Sequence, residues 1–357
     1  MSNLIHPRFS LCGIKYDNDL VLFKEKLTSL FKTNEEKNYV DDICNFISQW
    51  IDDNPHILCH SSGSTGAPKD ILLPKTTMIN SARKTGEFYG LGEGSKTLLC
   101  LPVQYIAGRM MIVRAMTLGW EMDIKLPDAL SLENSGKIYD FVAVVQLQLY
   151  KGIKYLSFYK TILVGGGAVS LSFIEELATS DIKSRIYISY GMTETASHVA
   201  IRELYPHHSN YYTAVNNVSF STNDDDCLVI NAPDLNPLPL TTNDVVKLID
   251  SHNFEWIGRR DYVINSGGIK IHPEESEKIL SSIITSRYII CGEKDETLGE
   301  RQILIIEVER DDYPTLDDFM DSHFDRIHRP KKTYYIKSFP LTATGKINRI
   351  ELLKMIK

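Results

Sequence analysis

TILVGGGAVSLSFIEELATSDIKSRIYISYGMTETAS, residues 161–197, decides the expected architecture. Its apolar runs TILV (Thr161–Val164) and IYIS (Ile186–Ser189) show no clean polar alternation, as strands covered on both faces require. Each run ends in a Gly turn, and SLSFIEELA between them reads as a helix. Strand, Gly turn, helix and strand make the unit of a parallel α/β sheet, which receives ligands at the carboxyl ends of its strands. Upstream the alternation continues. Asn34–Ile51 places Val40, Ile43, Ile47 and Trp50 at helical spacing, HILCH (56–60) reads as a strand, and Thr76–Tyr89 as a helix. A strand over Thr97–Val103, a buried helix over Gly108–Trp120, the strand EMDIKL and the apolar segment DFVAVVQLQL follow.

Beyond Asn210 the style changes. CLVINAP, DVVKLID and FEWIGR are short strands between Asn/Asp/Pro turns, which predicts a small antiparallel sheet or barrel. From Asp261 a helix (Pro273 to about Ile284), strands RYIICG and QILIIEVE, a helix near Leu316–Phe324 and strand TYYIKSF predict a compact α+β unit. The expected organisation is thus a large N-terminal domain over 1–260, with parallel α/β sheets and a small β subdomain. A small C-terminal α+β domain over 261–357 completes it.

Composition narrows the function classes. The 357 residues carry a net charge of −7, which argues against non-specific nucleic-acid binding. Six cysteines without a C-x-x-C pair read as reduced thiols of a cytoplasmic protein, not as a disulfide framework or zinc site. The first residues lack a basic start with an apolar core, and no apolar run approaches a membrane span, so neither signal peptide nor span is expected. No G-x-S-x-G and no H-E-x-x-H occurs, which disfavours serine-hydrolase and zinc-hydrolase chemistry.

Five stretches remain that suit chemistry. HSSGSTGAPKD (60–70) gathers Ser61, Ser62, Gly63, Ser64, Thr65, Gly66 and Lys69. Converging N–H groups, hydroxyls and one lysine suit a polyphosphate, although the spacing is not that of G-x-x-x-x-G-K-[ST]. GGGAV (165–169) lets backbone approach a flat ligand, or is simply a tight strand-to-helix turn; it lacks the dinucleotide spacing. In YGMTETAS (190–197), Tyr190 suits stacking on a base, Thr193 suits a phosphate, and Glu194 suits Mg²⁺; a helix cap explains TET equally well. Asp244, opening one strand, and Arg259, closing another, suit ribose hydroxyls or are surface polar residues at strand ends, and SGG (Ser266, Gly267, Gly268) suits a turn. Lys346, behind Gly345 in FPLTATGKINRIEL, stands at a helix start, where a cation is slightly unfavourable; this favours a functional role.

In this order and spacing the segments resemble the adenylate-forming superfamily of acyl-CoA synthetases, adenylation domains and luciferases, from about His56 to the end. The resemblance implies that SSGSTGAPK grips ATP phosphates and that Gly165, Gly166, Gly167 and Ala168 form the adenine-side turn. Tyr190, Gly191, Met192 and Thr193 would form the nucleotide signature, with Glu194 on Mg²⁺. It further implies Asp244 and Arg259 on ribose, a hinge at Asp261, Ser266–Gly268 beside a CoA tunnel, and Lys346 as the catalytic lysine of a mobile lid. The brevity of the chain, and LPVQYIAGRMMIVRAM, are most similar to the compact o-succinylbenzoate–CoA ligases of menaquinone biosynthesis. There Tyr105, Gly108 and Arg109 would line the acyl pocket, with Arg109 or Arg114, five apart on one helix and so about 140° apart, meeting a second carboxylate. The implied enzyme is an AMP-forming acid–CoA ligase using ATP, Mg²⁺ and CoA on a small carboxylic acid, with monomer and homodimer both open. The other readings are an aryl- or acyl-CoA ligase of different specificity, a stand-alone adenylation enzyme that loads a carrier protein, and an inactive nucleotide-binding module.

Overall fold

The structure is a computed structural model that describes residues 4–60, 70–133, 136–165, 167, 169–308, 313–341 and 347–356. The chain opens with β1 (Ser10–Leu11), β2 (Ile14–Lys15), α1 (Leu20–Thr28) and α2 (Asn34–Ile51). A reciprocal cap starts α2: the Glu36 N–H donates to the Thr33 hydroxyl at 3.1 Å, and the Thr33 N–H donates to the Glu36 carboxylate at 2.9 Å. Val40, Ile43, Ile47 and Trp50 form its buried stripe, as their spacing predicts. β3 (His56–His60) and β4 (Asp70–Pro74) pair with each other apart from the main sheet.

Next come α3 (Lys75–Tyr89), β5 (Lys96–Leu99), α4 (Ile106–Leu118), β6 (Glu121–Ile124) and β7 (Tyr139–Val145). They are followed by α5 (Gln146–Lys151), β8 (Tyr159–Gly165), α6 (Leu171–Thr179) and β9 (Arg185–Gly191). Strands β1, β6, β5, β7, β8 and β9 lie side by side and parallel. Their unbroken apolar character has a direct cause. Phe141, Ala143, Leu163 and Tyr187 enter one core, under α2, α3 and α4, whereas Val142, Val144, Ile162 and Val164 enter a second, under α5 and α6. The expected strand over Thr97–Val103 stops at Leu99, and DFVAVVQLQL divides into β7 and α5.

Helix α4 runs inside the first core, with Met110, Met111, Ile112, Val113, Ala115 and Met116 all buried. Its entry is tight at Gly108, where a Cβ would lie 2.3 Å from the Pro102 carbonyl oxygen. Gly108→Ala must push that backbone apart, and a cost of about 1–3 kcal/mol is expected. Thermal melting followed by circular dichroism checks it: an unchanged midpoint would show that the approach is slack.

β10 (His198–Tyr205), β11 (Tyr212–Ala214), β12 (Ser219–Thr222), β13 (Cys227–Asn231), β14 (Leu240–Asp250) and β15 (Asn253–Arg259) are antiparallel. They do not close into a separate sheet. β10 pairs with the outer edge of β9, so the hydrogen-bonded order runs without a break as β12-β13-β14-β15-β11-β10-β9-β8-β7-β5-β6-β1-β2. The pairing satisfies a strand edge that would otherwise be open.

A second sheet starts after a single turn at Arg260–Tyr262. It holds β16 (Ile264–Ser266), β17 (Ile269–Ile271), β18 (Tyr288–Asp295), β19 (Gly299–Glu307) and β20 (Lys332–Ile336). Helices α7 (Pro273–Leu280) and α8 (Leu316–His323) cover one face through Leu280, Leu316 and Met320. Helix α9 (Arg349–Met355) covers the other through Leu352. The helix expected to reach about Ile284 ends at Leu280. Among the described residues no helix is long and apolar enough to cross a membrane.

Candidate active site

The parallel strands deliver the Gly turns to one end of the sheet. Gly165 closes β8, and Tyr190 and Gly191 close the adjacent β9. Gly191 is required where it stands, because a Cβ would lie 2.3 Å from the Ser197 carbonyl oxygen of the returning chain. The turn Thr193–Thr195 is held by Thr195, whose hydroxyl donates to the Ser197 carbonyl at 2.7 Å and accepts from the Met192 N–H at 3.1 Å. The capping role that TET suggests therefore falls to Thr195. β4, the strand that follows the Ser/Gly stretch in the chain, runs beside this turn. Ser61, Ser62, Gly63, Ser64, Thr65, Gly66, Lys69, Gly166, Ala168 and Lys346 lie outside the described residues.

Asp244 and Arg259 stand directly opposite each other across the β14–β15 hairpin. The Asp244 carboxylate is buried and held from three sides. Tyr190 donates its hydroxyl at 2.6 Å, the Trp256 indole N–H donates at 3.3 Å, and the Arg259 guanidinium lies 3.7 Å away. Burial, together with the Asp244 charge, pushes the Tyr190 phenol well above its ordinary pKa, so it stays protonated and remains a donor. Its ring packs edge-on to Tyr212 and Phe254, which stack on each other at 5.4 Å. Residues 190, 244 and 259, expected separately from their motifs, thus form one constellation. Trp256, Tyr212 and Phe254 were not foreseen.

Asp261 lies in the turn between the two sheets and accepts from the Arg259 guanidinium at 2.8 Å. Gly267 and Gly268 take φ of +59° and +85° and make the two-residue turn between β16 and β17. The second sheet touches the first at this corner: the Arg259 N–H donates to Glu274 at the start of α7 at 3.2 Å. A second Glu274 oxygen is buried there without a partner. Burial, and next the Glu277 charge, raise the Glu274 carboxyl to about 7.

A carboxyl raised in the folded state is favoured in its protonated form, so its cost is absent below the unfolded value, grows as pH rises toward 7, and is complete above it. Full ionisation costs roughly 3 kcal/mol before solvent screening is discounted. Glu274→Gln is expected to flatten the fall in melting temperature between pH 5 and 8. An identical pH profile in variant and wild type would refute this.

Tyr105 stands just before α4 and Gly108 in its first turn; the helix starts at Ile106, two residues earlier than expected. Arg109 follows on the same helix. Its guanidinium donates to the Val103 carbonyl at 2.9 Å and to the Leu58 carbonyl at 2.5 Å, and lies over the Phe46 ring. The bond to Leu58 ties α4 to β3. Arg114, 2% exposed, points into the core. It donates to the Thr85 hydroxyl at 3.1 Å, to Met111 sulfur at 3.8 Å and to the Ser197 hydroxyl. Among the described residues no carboxylate pairs with it. Burial lowers its pKa only to about 10, so it keeps its charge at neutral pH. Beside it, His198 is pushed down to about 3 by burial and then by the Arg114 charge, and is neutral. Tyr89 packs against His198, Tyr187 and Phe141, and its hydroxyl is buried without a partner.

A parallel sheet whose carboxyl end gathers Gly turns, a threonine, a carboxylate and an aspartate–arginine pair defines a nucleotide-handling α/β protein. The profile of the AMP-binding enzyme family matches residues 10–243, and the chain belongs to that family. An acyl-CoA synthetase (AMP-forming)/AMP-acid ligase II-like protein from Dyadobacter fermentans is 30% identical. That match covers 93% of this chain and 98% of the other, with a TM-score of 0.58. The 2-succinylbenzoate–CoA ligase of Listeria innocua is 25% identical over 92% of this chain and 76% of its own length. The O-succinylbenzoate coenzyme A synthetase of Bacillus subtilis, solved with ATP and magnesium ion, shares the fold. It has a TM-score of 0.73 and 18% identity over 94% of this chain and 82% of its own. The expected α/β fold and the class of AMP-forming acid–CoA ligase are borne out.

Proposed function

We propose that this enzyme activates an aromatic dicarboxylic acid, 2-succinylbenzoate, as its acyl-adenylate and transfers the acyl group to CoA. The observation that carries the choice of acid is Arg114: a buried cation whose described partners are two hydroxyls and a thioether, with Tyr89 and His198 near enough to feel its charge. A buried charge without a counter-charge is costly, and a substrate carboxylate removes that cost. The names of the relatives support the same acid.

The substrate carboxylate attacks the α-phosphorus of ATP, forming the acyl–phosphate bond and expelling pyrophosphate. Ser61–Gly66 and Lys69 hold the leaving phosphates. Gly165–Ala168, Tyr190, Gly191 and Met192 form the walls around the base, and Asp244 and Arg259 take the ribose hydroxyls. Among the described residues no group of three or more His, Cys, Asp or Glu could hold a metal. Mg²⁺ suits such a site, since it takes one or two carboxylates together with substrate phosphates and keeps several waters. Glu194 supplies that carboxylate and Thr193 a phosphate donor; the metal, when bound, neutralises phosphate charge. Lys346 bridges carboxylate and α-phosphate as their negative charges meet. Rotation about Asp261 then withdraws Lys346 and brings Ser266–Gly268 beside the incoming thiol, a change that needs only a few dihedrals. The thiol attacks the acyl carbon and AMP leaves.

Pyrophosphate exchange across a panel of aromatic and aliphatic mono- and dicarboxylic acids tests the proposal, with mass detection of the CoA thioester. Exchange and thioester formation peaking with 2-succinylbenzoate are expected. Exchange with a monocarboxylic or amino acid alone, or product found only on carrier-protein pantetheine, would overturn the assignment.

A further inference from the structure

We infer that Trp256 is a positioning residue for the nucleotide ribose: its indole N–H holds the Asp244 carboxylate in the orientation that receives the sugar hydroxyls. The inference rests on the ribose role proposed for Asp244 and concerns how that carboxylate is aimed.

The placement is unusual in a strand. Arg259 and Trp256 are three residues apart on β15, and in a regular strand they would face opposite sides. Here they share a face because of a bulge. Asp244 pairs with Arg259 and Val245 with Gly258, but the next pair is Val246 with Trp256, so Ile257 is the extra residue. Paired residues across an antiparallel ladder share a face, and 244 and 246 share one by alternation. The bulge therefore turns both Arg259 and Trp256 toward Asp244. Trp256 is half-buried, and its indole N–H has a carboxylate oxygen at 3.3 Å, the same oxygen that faces Arg259.

The division of labour is specific. One Asp244 oxygen takes the indole and faces the guanidinium, while the other takes the Tyr190 hydroxyl. A carboxylate has about four acceptor directions, so a fixed plane leaves defined lone pairs for incoming hydroxyls. Without the indole, one Asp244 oxygen keeps the Tyr190 hydroxyl but the other faces only the guanidinium at 3.7 Å, so the carboxylate plane is fixed from one side less. The predicted signature is a loss felt by nucleotides bearing ribose hydroxyls and not by those lacking them.

The test compares ATP with 2′,3′-dideoxy-ATP in substrate-dependent pyrophosphate exchange. Trp256→Phe removes the donor and keeps an aromatic ring; Trp256→3-benzothienylalanine removes it with nearly unchanged shape, should the smaller ring disturb folding. Both are expected to raise KM for ATP about tenfold, the scale of one hydrogen bond to a charged group. Neither should change KM for the dideoxy nucleotide by more than about twofold, and the loss should fall on KM rather than kcat. On an Asp244→Asn background the Trp256→Phe penalty should shrink, since the two act as a unit. An equal rise for both nucleotides would show that Trp256 only packs, and an unchanged KM for ATP would show that the indole bond is idle; either overturns the inference. A wild-type enzyme that fails to distinguish the two nucleotides would overturn the ribose role of Asp244 itself, and the inference with it.

Discussion

Lys346→Ala should reduce acyl-adenylate formation by about 10²–10³-fold, the usual scale for removing one preorganised donor from a developing anion. The same variant should keep thioester formation from supplied acyl-adenylate and CoA within about tenfold of wild type. The asymmetry follows from charge. In the first step a carboxylate meets a triphosphate, and without a cation between them the approach is repulsive. In the second, a thiol attacks a neutral acyl carbon, and the leaving group is AMP. Although Lys346 lies outside the described residues, both flanks belong to the second sheet's unit: Leu341 bridges Ile347, the Asn348 N–H donates to the Pro340 carbonyl at 2.8 Å, and Leu352 is buried there. A lysine anchored on that unit reaches a nucleotide at the first sheet only for as long as the two are suitably docked. Pyrophosphate exchange reads the first half-reaction and CoA-thioester formation the second; equal losses in both would contradict a lysine used once.

The second large effect concerns Arg114→Met. KM for 2-succinylbenzoate should rise about 100-fold or more, because a site built around a buried polar partner discriminates steeply when that partner is missing. A monocarboxylic aromatic analogue should be used about equally by variant and wild type. Folding should survive, since replacing a buried charge with an apolar side chain of similar length is often neutral or stabilising. The melting temperature separates the cases. An unchanged KM for the dicarboxylic acid in a folded variant would show that Arg114 serves only Thr85 and Ser197.

The parallel sheet was legible because its cause is local. Thr161–Val164 and Ile186–Ser189 show no polar alternation, as strands buried on both faces require. Of the antiparallel strands, β13, β14 and β15 were legible as CLVINAP, DVVKLID and FEWIGR, but β10, β11, β12 and their union with β9 were not, because that union depends on which open edge they meet in space. The same limit governs the site. Asp244 and Arg259 were each expected at the ribose from their own motifs, but Trp256 was not, because the bulge at Ile257 changes the face of every later residue, and the Gly258 beside it reads in the sequence only as part of the strand-like run FEWIGR. The surroundings of Arg109 and Arg114 depend on partners distant in sequence: Leu58 for the former, Thr85 and Ser197 for the latter. Helix periodicity separates the two directions without saying which faces the acid. Glu274 was equally hidden, since a helix-start glutamate is ordinary until Gly258 is found packed against it.

The most direct test uses 2-succinylbenzoate labelled with ¹⁸O in the reacting carboxylate, in a single turnover with ATP and CoA. Attack of that carboxylate on the α-phosphorus, followed by thiol attack on the acyl carbon, leaves one labelled oxygen in AMP. Mass spectrometry of the nucleotide product should therefore find AMP heavier by one ¹⁸O. Unlabelled AMP, or ADP carrying no label beside labelled phosphate, would contradict activation through an acyl-adenylate.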